Sequence, residues 1–134
     1  MSWSESLIRL ASYEVETLQK RLAEVVDRRI AAQTKLARLL AEGEAESVRA
    51  AGDAEAGLSL SAYLDGLRVR KGAIQAEIEQ VLAEEAGARD ALAQAFEEQK
   101  KYEQIAETAR LLELKEAGRR ETAALDELGL RKAR

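Results

Sequence analysis

From about Leu58 to about Leu130 the chain has no proline, and its apolar residues return at alternating steps of four and three. Leu60, Leu64, Leu67, Ile74, Ile78, Val81, Ala88, Leu92, Ala95, Tyr102 and Ala109 fall on one seam. That alternation is the heptad signature of a long helix burying a narrow stripe against another helix. It fixes a fold class, a helical coiled coil, and by itself says nothing of purpose.

A partner for that helix lies earlier in the chain. Ser2 or Ser4 is placed to cap a first helix, and Ile8, Ala11, Val15, Leu18, Leu22, Val25, Ala32, Leu36 and Leu39 keep one seam for about five heptads. Between about Ala41 and Gly57 the seam is lost among Gly43, Gly52, Gly57 and small residues, which places the reversal near Gly52-Asp53. The expectation is all-α: an antiparallel two-helix coiled-coil hairpin, with helix one over about 4–47, a loop over about 48–58 and helix two over about 59–130. Ser59 or Ser61 would cap the second helix. The 134 residues then form a single elongated domain.

With the bend near residue 55, facing residues should have numbers summing to about 110, which sets Leu36 against Ile74, Leu18 against Leu92 and Val25 near Glu85. Arg29, Lys71, Glu85 and Gln99 interrupt the seam. An unpaired buried charge costs several kcal/mol, so these side chains are expected at the rim or paired across the interface, setting register more than stability. Trp3 is expected to staple the N-terminus against helix two near Tyr102 or Ala106, and Phe96 to widen the core beside Ala95.

Composition narrows the function. The chain has no cysteine and no histidine, which removes disulfides, thiol and imidazole catalysis and the usual zinc sites. Glu84-Glu85 and Glu97-Glu98 are adjacent carboxylates, but neighbours on a helix point about 100° apart and cannot share a substrate. No glycine-rich phosphate loop occurs. Neither an enzyme nor a metal or other cofactor is expected. A net charge of −4 from 21 basic and 25 acidic residues is mixed along the chain, so no nucleic-acid partner is indicated. The small clusters Arg28-Arg29, Arg68-Val69-Arg70-Lys71, Arg119-Arg120 and Arg131-Lys132 read as solvated faces. The N-terminus lacks a signal-peptide pattern and no apolar run reaches membrane-spanning length, which favours the cytosol.

The two helices are unequal. Pairing uses helix two only to about Tyr102 or Ala106, leaving roughly 24 to 28 residues, about 36 to 42 Å, to project beyond the N-terminus. That overhang has its own stripe, Leu111, Leu114, Gly118, Leu125 and Leu128. An uncovered apolar stripe is an interaction site or a dimer seam, and a partner is the favoured reading.

The overhang ends Arg119-Arg120-Glu121-Thr122-Ala123-Ala124-Leu125-Asp126-Glu127-Leu128-Gly129-Leu130-Arg131. An Asp-Glu pair, an apolar residue, a small residue and then Arg after one spacer resembles the tail of the flagellar export protein FliJ family, the coiled-coil component of the flagellar type III export apparatus. Tyr63-Leu64-Asp65-Gly66-Leu67, followed by Lys71, Ile74 and Ile78, is similar to the family's stretch in which an aromatic precedes Leu by four residues. Length and the longer second helix agree. Glu42 and Glu46 depart from the bulky residues many members place near the hairpin tip.

The resemblance implies a stalk like the central shaft of rotary ATPases. The overhang would enter the pore of the export ATPase hexamer, and the hairpin end would reach the cytoplasmic domain of the export gate protein. Carried onto this chain, the ATPase-ring candidates are Arg119, Arg120, Asp126, Glu127 and Arg131, and the gate candidates are Tyr63, Leu67, Ile74 and Leu39. Location would be cytoplasmic, peripheral to the inner membrane at the flagellar base. The molecule is expected to be a monomer, with a dimer as the other state. Two other readings stand beside this one: an escort that binds export chaperones, and a purely structural dimeric coiled coil whose overhangs pair. The register has its own test. Cysteines at Leu18 and Leu92 in this cysteine-free chain should form an intrachain disulfide under mild oxidation, and a fully reduced product by mass would refute the register.

Overall fold

The computed structural model describes residues 3–133; the side chains of Ala54, Ala56, Leu58 and Ala133 lie outside that description, as does the possible cap Ser2. Two helices, α1 over Trp3–Ala50 and α2 over Ala54–Ala133, pack against each other as an all-α hairpin. Ser4 lies within α1.

The reversal is tighter than the glycine count suggests, because residues 48–50 and 54–58 are helical and Ala51–Asp53 alone makes the turn. The Ala51 N–H donates to the Ser47 carbonyl at 3.2 Å, and the Asp53 N–H to the Ala50 carbonyl at 3.3 Å. Asp53, rather than Ser59 or Ser61, caps α2: its Oδ1 accepts from the Glu55 N–H at 3.0 Å. No described residue has a positive φ, so Gly52 turns without the left-handed conformation. The alanines around the turn are the strongest helix formers, which is why the helices run so close to it.

Two units pack separately. In Thr17–Leu92, the positions Leu18, Leu22, Val25, Arg29, Ala32, Leu36 and Leu39 are all buried or half-buried, with Val25 at 0 % exposure. The period continues through Gly43, Glu46 and Ala50, where the sequence shows only small or polar residues. From α2, Leu60, Leu64, Leu67, Lys71, Ile74, Ile78, Val81, Glu85, Ala88 and Leu92 answer them.

Gly43 explains why the seam becomes hard to read near the tip. A Cβ built there would stand 2.5 Å from Leu67 Cδ2, so the glycine is a socket for the leucine and not a loop residue. Helix propensity lost at Gly, about 1 kcal/mol, is offset by that contact.

The polar seam positions are matched across the interface. Arg29 Nε donates to Glu85 Oε1 at 2.8 Å, the two side chains 24 % and 12 % exposed. Beside it Arg28 forms a fork with Glu84, 2.6 Å from Nη1 to Oε2 and 3.5 Å from Nη2 to Oε1, and Lys35 meets Glu77 at 3.5 Å. The Arg28-Arg29 cluster is thus a cross-helix clamp, not merely a solvated face. The numbers of these facing residues, with Gly43 and Leu67, sum to about 110 to 114, close to the expected register.

In the other unit, Ala11 and Val15 of α1 and Ala95 of α2 are buried, and Gln99 Nε2 donates to Ser12 Oγ at 2.9 Å. Tyr102 and Ala106 are half-buried. Ala109, expected on the seam, is exposed, because the α1 residues that would cover it have run out. Trp3 is 64 % exposed and lines an open groove with Ala106, Ala109 and Arg110, so it rests at the rim instead of stapling. Phe96 is also exposed, since one step from Ala95 turns it about 100° off the seam.

Gly43→Leu should destabilise the hairpin by about 1–3 kcal/mol through overpacking. Adding Leu67→Ala should recover part of that loss in thermal melts, and purely additive losses would show that the two positions do not meet. A second expectation concerns acid. The Arg28 hydrogen bond, opposed by desolvation and assisted by the charges of Arg28 and Arg21, holds the Glu84 carboxyl below the ordinary glutamate range. A depressed carboxylate stabilises the fold above its unfolded pKa, about 4.3, and loses that contribution as pH falls through the folded value. Arg28→Gln should therefore lessen the fall in Tm between pH 6 and pH 3, and an unchanged fall would remove Glu84 from the acid response.

Candidate docking surfaces

The first surface is the free end of α2. Every described residue from Glu107 to Lys132 is exposed. Extending the hairpin seam by the same steps would bring up Glu113, Glu116, Arg120, Ala123 and Glu127, so the face that met α1 turns charged where α1 stops. The leucines move to another face: Leu111, Leu114, Leu125 and Leu128 are each 52–61 % exposed. Gly118 shares that face, and a Cβ there would meet nothing within 4 Å.

The charged candidates occupy two further faces. Arg119 and Asp126, seven residues apart, share one; Arg120, Glu127 and Arg131 share the other. Arg119 Nη2 donates to Glu116 Oε2 at 2.7 Å and Arg131 Nη2 to Glu127 Oε1 at 3.2 Å. Such exposed pairs along one helix hold side chains out as a patterned surface and contribute little to stability. Arg120 and Asp126 are exposed as well. No single face gathers all five.

The second surface is near the hairpin tip, within Thr17–Leu92. Tyr63 is half-buried in a groove with Glu46, Arg49, Ala50, Ser59 and Leu60. The Arg70 guanidinium carbon lies 5.9 Å from its ring centroid, in cation–π range. Leu39 and Ile74 floor a neighbouring open groove rimmed by Lys35, Arg38, Glu42, Arg70 and Glu77. Leu39 is buried, and Leu67 fills the Gly43 socket, so both belong to the hairpin core before they belong to any site.

The mixed-charge rim of that groove, which joins residues of both helices, is not legible in the sequence. Part of its signal is there in Arg68-Val69-Arg70-Lys71, but only the packing tells which of these basic residues turns back toward Tyr63. Among the described residues no cluster of three or more metal-binding side chains occurs, and no helix is long and apolar enough to cross a membrane. The surfaces suit protein docking, being long faces and open grooves.

Comparison with known proteins is consistent with that character. The family model described as Flagellar FliJ protein matches residues 5–134. Two curated relatives, each named Flagellar FliJ protein, come from Caulobacter vibrioides strains NA1000 / CB15N and ATCC 19089 / CIP 103742 / CB 15. Each is 50 % identical over 131 residues, covering 98 % of this chain and 94 % of the relative. No solved structure matches. With a family match across nearly its whole length and relatives of such identity, the chain belongs to the flagellar FliJ protein family.

Proposed function

We propose that this chain is a non-enzymatic stalk of flagellar protein export, engaging the export ATPase ring through the free end of α2 and the membrane export gate through the hairpin tip. Family membership makes it a flagellar export component; its place in that machinery is the proposal. The observation that carries it is the stretch from Glu107 to Lys132, a helix left uncovered by the rest of its own chain. A lone helix with an apolar stripe and two charged faces can be gripped on several sides, which is what a pore offers.

In this reading Arg119, Arg120, Asp126, Glu127 and Arg131 meet the ring walls through charge-assisted hydrogen bonds that exchange for their present intrahelical partners. The exchange costs little, because exposed pairs are weak. At the tip, Tyr63 and the rims of the Leu39–Ile74 groove receive the gate, with Leu67 supporting the surface from within the core. The protein itself would remain cytoplasmic, peripheral to the inner membrane.

The test is the ATPase rate and ring assembly of the cognate export ATPase with the full chain, with the chain ended at Thr108, and with full-length Arg119→Glu/Arg120→Glu. The full chain should stimulate both readings. Truncation should abolish the effect and the double reversal weaken it several-fold. Equal stimulation by the truncated chain would move the contact off the overhang, and no binding by any form would refute the stalk.

A further inference from the structure

The leucine stripe of the free end has a hidden symmetry. Its heptad positions run Glu107, Leu111, Leu114, Gly118, Glu121, Leu125, Leu128 and Lys132, at steps of four and three. Reversed about a point between Arg119 and Arg120, the row maps onto itself: leucine onto leucine at 111 and 128 and at 114 and 125, glycine onto Glu121, and Glu107 onto Lys132. From this we infer that the stripe pairs with the same stripe of a second copy, antiparallel, about a two-fold axis beside Arg119 and Arg120.

Charge selects the direction. A parallel, in-register pair would set Glu107, Glu121 and Lys132 each against itself, whereas the antiparallel pair sets Glu107 against Lys132 of the partner at both ends. At the centre, Gly118 leaves the space above its Cα open, and the Glu121 side chain of the other copy lies across it toward Lys115, one turn away. Ala117 and Ala124 flank the axis and let the helices approach closely. Arg110 and Arg131 come near each other at the ends as like charges, with Glu107 2.6 Å from Arg110 and shared with Lys132 of the other copy, and Glu127 3.2 Å from Arg131. The ends are therefore mixed in sign.

A helix pair of this length buries on the order of 1,200 Å², at the lower bound for a specific interface, so the dimer is a reversible one. Arg119, Arg120, Asp126 and Glu127 stay outward in it. The inference goes beyond the stalk reading and is tested on the isolated protein, so either can fail without the other.

Since the chain has no native cysteine, Leu114→Cys and Leu125→Cys variants can be oxidised singly and as an equimolar mixture. The two positions are 11 residues, about 16 Å, apart along one helix. The mixture should give the mixed disulfide in large excess, and sedimentation of the unmodified chain should show concentration-dependent dimer that Leu125→Asp weakens at least about tenfold, with helicity by circular dichroism equal in the two chains at dilutions where both are monomeric. Preferential self-crosslinking of either single variant would make the pair parallel and overturn the inference. A chain that stays monomeric to about 200 µM would overturn it too, and would leave the stripe to a different protein.

Discussion

The close approach of two backbones governs this hairpin. Its buried side chains are mostly small, Ala11, Val15, Val25, Ala32, Val81 and Ala95, while the seam leucines, apart from Leu39, are half-buried. A seam made that way gains from dispersion at short range more than from burying large apolar areas. Gly43 adds one shaped contact to it, since a Cβ there would stand 2.5 Å from Leu67 Cδ2 and the leucine end would have to shift. The ion pairs then do what the small residues cannot. Alanine opposite valine fits almost any register, but Arg28 and Arg29 opposite Glu84 and Glu85 fit one, so the polar interruptions choose among arrangements that packing alone leaves close in energy.

Much of this was legible in the sequence, and the reasons it faded are specific. Heptad spacing identified every seam position from Ile8 to Leu39 and from Leu60 to Tyr102, because the period is a direct image of which face is covered. The reading failed where the covered residue is not apolar. Gly43 and Ala50 looked like turn material, although burial continues through them, and Asp53 was overlooked as a cap because serines further on fit the pattern equally well. Trp3 and Phe96 misled in the opposite sense: large apolar residues suggest a core, yet a helix face decides exposure, and both lie off it.

The docking surfaces divide along the same line. That the end of α2 is bare followed from counting residues against a reversal point, and the structure ends coverage at Ala106. The distribution of its charges over separate faces also followed from spacing. The tip groove did not, since its rim joins Lys35 and Arg38 of one helix to Arg70 and Glu77 of the other, and which residues meet across a hairpin depends on register to within one turn. Membership in the flagellar FliJ protein family says where to look for partners, while the faces say what a partner must present: acidic and basic groups together, or leucines in a row.

The bare end of α2 has a thermodynamic character of its own. With no neighbouring element to hold it among the described residues, its helix rests on backbone hydrogen bonds and on short-range pairs such as Glu107–Arg110, Glu116–Arg119 and Glu127–Arg131, and it contains Gly118 and Gly129. Continued from the paired part of α2, this stretch of about 26 residues bears no nucleation cost of its own, but it lacks the tertiary packing from which most helical stability comes. Amide exchange there should be governed by local fraying and be fast relative to the paired region, with salt speeding it as the pairs are screened. Any partner that enclosed this end would confer rigidity on it, and part of the binding energy measured there would be the work of suppressing that fraying.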